Sequence, residues 1–417
     1  MMRSLFAGVS GLRNQQTRMD VIGNNIANVN TVAFKASRVV FKEAFAQLLQ
    51  GASRPPGNLG GINPIQIGSG MNIGSIDQLF TQGSLETTGQ TTDVAIQGDG
   101  FFVLSNGQRQ VYTRAGNFQL DANGKLINPN NGFVVQGINA DAFGNFSTSS
   151  TITDVQLRLG DKAPAQQTRQ ISLTGNLDAR AVAGDTHSMG VTIYDQTGTP
   201  IDLVIDFTKT ATGWDWTASS PSGVATISGS GSVTFGANGS LASFTPAGPP
   251  PGLDAIQVTS GGATFNVSIN PGSINGIDGL AGFSNPSNAV VNTQDGYPAG
   301  DLTNISIDTR GVITGFFTNG VSRALAQIAL AQFTNPSGLL RTGDNMYETS
   351  ANSGTPVLGF AGVSSRSSIT PGALENSNVD LSQEFTNMII AQRGFQANAR
   401  VITASDEMLN ELVNMRR

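Results

Sequence analysis

"LSQEFTNMIIAQRGFQANARVITASDEMLNELVNMRR", residues 381–417, holds a strict seven-residue series: Leu381, Met388, Phe395, Ile402 and Leu409. Phe385, Gln392, Ala399, Asp406 and Val413 stand four places after each of them. Apolar residues alternating by four and three are the spacing of a coiled-coil seam, which predicts a long helix here. Its start is marked by Asp380, whose short carboxylate suits an N-cap, with Gln383 three residues later as in a capping box. About 36 residues at ~1.5 Å each would reach ~54 Å. Gln392 and Asp406 lie within the seam, so it is not a dry core.

The opposite end of the chain repeats the device. Leu5, Leu12, Met19 and Ile26 recur every seven residues, and Val9 and Gln16 follow the first two by four. A helix of ~22 residues would span ~33 Å. It runs past Ile22 into a cluster of amides at Asn24, Asn25, Asn28 and Asn30. Asparagine competes with the backbone for hydrogen bonds and is a middling helix former. The cluster is therefore expected to mark where the helix ends, its amides satisfying free backbone groups. The simpler reading is ordinary capping before a turn. An amphipathic pair packed on a globular core would account for the two helices; the reading adopted is that the termini pair with each other and with copies from neighbouring subunits.

Between the ends lies a β-rich body. "LDANGKL" (Leu120–Leu126), "FGANGSL" (Phe235–Leu241) and "IDTRGVI" (Ile307–Ile313) read as strand, turn, strand, with "ADAFGNF" (Ala140–Phe146) a looser copy. Each turn ends on glycine, at Gly124, Gly239, Gly311 and Gly144, which accepts the positive φ that hairpin turns demand. A longer hairpin is expected over Gly190–Phe207, where Ile201, Leu203, Ile205 and Phe207 alternate with more polar residues. Trp214 and Trp216, two apart, should share a face in the core. Residues 50–70, rich in Pro and Gly, read as an extended connector, residues 244–254 as a polyproline-like surface loop, and residues 263–290 as a turn-dense return. The expected fold is multidomain: a coiled-coil-like helical domain from both termini plus mainly-β middle domains, hairpin-rich and sandwich- or barrel-like. The expected boundaries are 1–30 with 375–417 for the helices, 31–75 for the connector, 76–147 with 285–374 for a first β domain, and 148–284 for an inserted one.

Composition narrows function. Only 12% of the 417 residues are charged, against 38% apolar, and glycine reaches 51. Such a surface suits contact with other protein better than open water, and the Phe, Val and Ile content is too high for a disordered chain. A net charge of −6 without a basic stripe argues against nucleic acid. With no cysteine and one histidine, disulfides, thiolate chemistry, Cys-ligated metal and multi-His metal sites are excluded. His187 reads as an ordinary strand or turn residue. No apolar run approaches the ~18 residues of a membrane span, and "MMRSLFAGVSGLRNQQ" lacks a cleavage pattern, so neither membrane insertion nor a cleaved signal peptide is expected. "GDGFFV" and "GSGMNIG" complete no nucleotide-binding fingerprint, and no catalytic constellation emerges. No cofactor and no metal are expected.

Three stretches carry a resemblance. "SGLRNQQTRMDVIGNNIANVNTVAFK" (Ser10–Lys35) resembles the N-terminal signature of the bacterial flagellar axial proteins, the rod and hook subunits. "TDVAIQGDGFFVL" (Thr92–Leu104) with "YTRAGNFQLDANGKLINPNNGFVVQG" (Tyr112–Gly137) is similar to the family's first β-rich block. Residues 374–417 resemble its C-terminal signature over almost every position. The segments at 190–209 and 294–320 look like hook members of the family; the connector at 53–70 also resembles one found in distal rod members. Ala33 stands where the family pattern has glycine, which implies a turn less dependent on glycine here.

The resemblance implies a non-enzymatic structural subunit forming a helical polymer with itself, a curved tube that passes torque from rod to filament. A rigid distal rod subunit is the alternative, and a secreted β-rich adhesin would leave the heptads at both ends unexplained. The implied partners are further copies of the chain, the distal rod protein, the hook cap and hook–filament junction proteins, and the flagellar type III export apparatus. The implied location is the extracellular hook. Its assembly contacts would use Leu5, Val9, Leu12, Met19, Ile22, Asn24, Asn25, Ile26, Asn28, Leu381, Phe385, Met388, Phe395, Ile402 and Leu409.

Overall fold

A computed structural model describes residues 2–52, 62–147, 151–157, 160, 162–247, 255–362 and 367–415. Helices form at both ends and strands fill the chain between them: α1 spans Met2–Ala27 and α2 spans Leu381–Asn414. The start of α2 follows the capping chemistry of its sequence. Asp380 is extended, and its carboxylate accepts from the N–H of Ser382 at 2.8 Å and of Gln383 at 3.2 Å. Two of the orphan donors of the first turn are thereby satisfied.

The chain divides into two compact units, one of residues 1–158, 305–314 and 324–417, the other of residues 159–304 and 315–323. In the second unit, a five-stranded antiparallel sheet runs in chain order through Thr186–Tyr194, Pro200–Lys209, Trp214–Ser219, Ser230–Phe235 and Leu241–Pro246. A six-stranded sheet is built around Gln170–Asn176, which pairs in parallel with Ala263–Asn270 and antiparallel with Val290–Gln294. One hydrophobic core joins the inner faces of the two sheets, with Ile171 and Val267 on one side and Leu203, Phe207 and Trp216 on the other. This is a β-sandwich.

The expected hairpin there forms in full register from Tyr194↔Pro200 to Thr186↔Thr208. Ile201, Leu203, Ile205 and Phe207 are all buried, as their alternation requires. Trp214 and Trp216 share the core face, and Trp216 stacks on Phe244 at 5.4 Å. His187 is a strand residue whose Nε2 meets the Ala289 carbonyl at 2.8 Å.

The short turns share one construction. In each, the glycine N–H returns to the carbonyl three residues earlier, as from Gly124 to Asp121, Gly144 to Asp141, Gly239 to Gly236 and Gly311 to Asp308. All four glycines have positive φ, between 74° and 85°. Where the turn opens on aspartate, its Oδ1 also collects two backbone N–H groups, as Asp121 does from Asn123 and Lys125. The Ala140–Phe146 turn closes in the same way, and beyond it Thr153–Asp154 pairs antiparallel with Gln136 and Gly137 of the strand before it.

In the first unit, Phe101–Ser105 lies between Gln110–Thr113 and Val134–Asn139. Edge-to-face rings pack on it: Phe101 lies 5.5 Å from Phe80, 5.6 Å from Phe333 and 5.7 Å from Tyr347. The returning chain is laced to the outgoing one, with Ser368–Pro371 paired to Val94–Gln97 and Ala373–Glu375 paired to Leu85–Thr87.

Three expectations need correction. The described part of the connector is a ribbon rather than a plain tether: Ser37–Glu43 pairs with Met71–Gln78, and Ala46–Gln50 pairs with Ile65–Gly68. Residues 53–61 lie outside the described residues. The return expected to be turn-dense over 263–290 opens instead with the eight-residue strand Ala263–Asn270, because Val267 and Ile269 find a core to enter. In the expected surface loop, Phe244–Pro246 completes a strand, and residues 248–254 lie outside the described residues.

Ala33 provides a fourth correction. Its φ is +58°, so the turn is as left-handed as glycine would make it, and the residue is fully buried. Left-handed backbone costs an L residue ~1–2 kcal/mol. Burying the methyl group returns ~0.8 kcal/mol, and alanine's smaller unfolded-state entropy a further ~0.4–1 kcal/mol. The terms nearly cancel, which is how alanine stands there. Ala33→Gly is therefore expected to change stability by less than ~1 kcal/mol, and Ala33→Val, β-branched in the same backbone, to lose ~2 kcal/mol or more in denaturant melts.

Candidate functional site

The two terminal helices pack against each other along their length. Ser4 Oγ lies 3.4 Å from Ser405 Oγ. A Cβ built on Gly8 would stand 3.2 Å from Ile402, one on Gly11 2.6 Å from the Asn398 amide, and one on Gly394 3.0 Å from Gln15. Asn25 reaches Glu384 at 3.4 Å. Positions rise along one helix as they fall along the other, so the pair is antiparallel.

The contact positions on α1 are Ser4, Gly8, Gly11 and Gln15, continuing to the buried Ile22 and Asn25. They advance by four and three, each one residue before the heptad read from sequence. The seam is thus lined by small and amide side chains, and glycine lets the backbones approach closely. The larger residues fall on its flanks. Leu5, Leu12, Met19 and Ile26 are half-buried and Val9 is exposed; on α2, Met388, Ile402 and Leu409 are half-buried while Leu381, Phe385 and Phe395 are exposed. Ile389, Ile390, Val401, Met408, Leu412 and Val413 add to that exposed apolar surface.

The asparagine cluster builds the exit from α1. Asn25 is buried and its amide is spent within the chain: Nδ2 donates to the Ser37 carbonyl at 2.8 Å, and Oδ1 accepts from the Ser37 N–H at 3.0 Å. It pairs the helix end to the first strand as another strand would. Asn28 donates to the Asn24 carbonyl at 2.9 Å and accepts from Thr31 Oγ1, closing the last turn. Asn24 and Asn30 stay exposed. Beside this exit a cleft of ≈ 390 Å³ is lined by residues of both helices and the first strand, including Arg18, Ile22, Arg38, Phe41 and Glu384.

Sequence reasoning missed the residues that hold this junction closed. Lys35, Arg114 and Glu375 are each at most 2% exposed. Glu375 Oε1 accepts from Lys35 Nζ at 2.7 Å and from the Gly83 N–H at 2.8 Å; Oε2 faces Arg114 Nη1 at 3.6 Å, an ion pair without a hydrogen bond. Lys35 also donates to the Thr81 carbonyl at 2.8 Å, and Arg114 lies over the Phe101 ring. Burial holds Lys35 and Arg114 below their ordinary pKa values, against the opposing pull of Glu375. Asn378 completes the junction, accepting from the Ala36 N–H and donating to the Leu79 carbonyl. The only signal available in sequence was a charged residue inside each of three segments of a sparsely charged chain.

Tyr347 lies against the same aromatic cluster, and burial pushes its phenol up to about 12. Above pH 10 the unfolded chain releases this proton while the folded chain retains it, so its contribution is complete below pH 10 and lost as pH rises toward 12. The shift from 10.0 to about 12 is worth ~3 kcal/mol. Melting of the first unit is expected to fall between pH 10 and 12, and Tyr347→Phe to flatten that part of the profile.

Comparison with known proteins covers the whole chain. Residues 5–35 match the model of flagella basal body rod proteins, and residues 370–415 that of the flagellar basal body rod FlgEFG protein C-terminal region. Residues 95–175 match the flagellar hook protein FlgE/F/G D1 domain, and residues 161–297 the flagellar basal body protein FlaE D2 domain. The flagellar hook protein FlgE of Treponema pallidum is 41% identical, and that of Borreliella burgdorferi 39%, each over 100% of both chains. The flagellar basal-body rod protein FlgG of Bacillus subtilis is 31% identical over the same full coverage. The crystal structure of Helicobacter pylori flagellar hook protein FlgE2 shares the fold with a TM-score of 0.51 at 16% identity, over 70% of this chain and 100% of that one. At 39–41% identity to the Treponema pallidum and Borreliella burgdorferi hook proteins over its full length, the chain belongs to the flagellar hook protein FlgE family.

Proposed function

We propose that the chain is the structural subunit of a flagellar hook, a curved tube of identical copies that transmits torque from rod to filament. The observation that carries this reading is the division of labour on the terminal helices. Their mutual seam uses Ser4, Gly8, Gly11 and Gln15, while Phe385, Ile389, Ile390 and Val413 remain outward at more than half exposure. So many exposed large apolar side chains on one helix support an interface with further protein. Copies packing side by side would cover them, with the heptad of Leu5, Leu12, Met19 and Ile26 and that of Met388, Phe395, Ile402 and Leu409 forming coiled-coil-like contacts between subunits. Repeated heterologous contacts generate helical polymers when rotation does not close a ring.

On this reading the helices, residues 1–30 with 375–417, form the inner tube. The ribbon over 31–75 leads to a first β domain and an inserted one; Val290–Gln294 pairs within the sheet of the inserted domain, so its return runs to residue 304 rather than 284. The role is mechanical and non-enzymatic. The partners are further copies, the distal rod protein, the hook cap and hook–filament junction proteins, and the flagellar type III export apparatus. The location is the extracellular hook.

The test is electron microscopy of the purified chain after salt-induced polymerisation, beside a chain trimmed of residues 1–30 and 375–417. Curved tubes from the full chain alone are expected. Straight rigid rods would favour the distal rod role, and monomers from both would overturn self-assembly.

A further inference from the structure

Sulfur in this chain is confined to methionine, since cysteine is absent. Of the nine methionines, Met2, Met19, Met388 and Met408 lie in the terminal helices and Met415 caps the second. Those helices hold only 26 and 34 of the 417 residues, so methionine is concentrated there. Helix formation does not demand it, because leucine serves a helix equally well. The β units keep their methionines inside. Met189 belongs to the sandwich core, and Met346 is buried with its sulfur accepting from the Asn131 amide at 3.1 Å.

The end of α2 is the opposite case. Met408 is 48% exposed and Met415 84%. They stand seven residues apart and continue from Val401, with Leu412 between them, so the four side chains share one stripe of the helix. Val401 and Leu412 are exposed as well. Packing of α1 on α2 leaves the stripe uncovered, and α2 without α1 would expose it further.

We propose that Met408 and Met415 are oxidation sites of the free subunit, and that their sulfoxides bar it from assembly. The oxidant is of the peroxide class. The thioether sulfur attacks one peroxide oxygen, the O–O bond breaks, an S=O bond forms and water leaves, so sulfur is oxidised and peroxide reduced. The product is a polar, chiral group where an apolar one stood, and a sulfoxide reductase reverses it. Burying that group in an apolar contact without a donor is unfavourable. The inference rests on the reading above that further copies cover this face. The same covering shields both sulfurs once a subunit is in the tube, so free chains are vulnerable and assembled ones protected.

The test treats the full-length monomer with hydrogen peroxide, locates sulfoxides by peptide mass spectrometry, and then polymerises the chain with salt. Untreated protein and a Met408→Leu, Met415→Leu variant, which keeps volume and apolar character, are run beside it. Met408 and Met415 are expected to oxidise at least about tenfold faster than Met189 and Met346. Treated parent should need about tenfold more protein to form tubes. The treated variant should assemble as untreated parent does, and preformed tubes should keep both sulfurs reduced. Normal tubes from chains carrying both sulfoxides would overturn the block. An equal loss in the treated variant would do the same, since the damage would then lie at other residues. Oxidation of Met189 and Met346 at the same rate would overturn the assignment of the sites. Absence of tubes from untreated protein would instead count against the hook reading, and the sulfoxide map of the monomer would still decide where the oxygen goes.

Discussion

Replacing Gly8 and Gly11 together by leucine is expected to part the terminal helices while making each a better helix on its own. Leucine gains ~1 kcal/mol of helix propensity over glycine at each site, so isolated helicity should rise. The seam has no room for the side chains: even a Cβ at Gly11 would stand 2.6 Å from the Asn398 amide, and one at Gly8 3.2 Å from Ile402. Overpacking of this kind costs ~1–3 kcal/mol per site, and relief comes only by separation. Limited proteolysis should cut within α1 and α2 of the variant while the β-sandwich survives. Under the hook reading, the variant yields no tubes. Intact tubes and unchanged protease resistance would show that the close glycine seam is not what holds the ends together.

The second large effect belongs to the other unit. Trp216→Ala is expected to destabilise the sandwich by ~3–5 kcal/mol, the usual cost of deleting a buried large aromatic side chain. Trp216 is fully buried, stacks on Phe244 with planes 10° apart, and covers Gly231, where a Cβ would approach the indole within 2.6 Å. Trp216→Phe keeps a stacked ring and drops an indole N–H that has no hydrogen-bond partner, so it should cost clearly less. At ~2–4 °C per kcal/mol for a unit of this size, the alanine variant should lower the melting point of the sandwich by about 10 °C. The separate transition of the helix-bearing unit should stay in place; loss of both together would mean that the two unfold as one.

The sequence by itself determined what local periodicity and local chemistry can dictate. Heptads and the Asp380 cap fixed two helices, because a helix needs only neighbours three and four residues away. Alternation from Ile201 to Phe207 fixed a half-buried strand, and glycine at Gly124, Gly144, Gly239 and Gly311 fixed left-handed turns, since few other residues accept that backbone without strain. The signatures at 10–35 and 374–417 carried the family. Tertiary structure alone decided what depends on residues hundreds of positions apart. It set the helix seam one residue off the leucine heptad, because close packing of an antiparallel pair rewards small side chains over large ones. It turned the Pro/Gly-rich connector into a ribbon by supplying a partner strand. It also brought Lys35, Arg114 and Glu375 into one buried cluster. A lone charge in a sequence carries no sign of its partner, since the energy of burying it depends wholly on which opposite charge the fold places within a few ångströms.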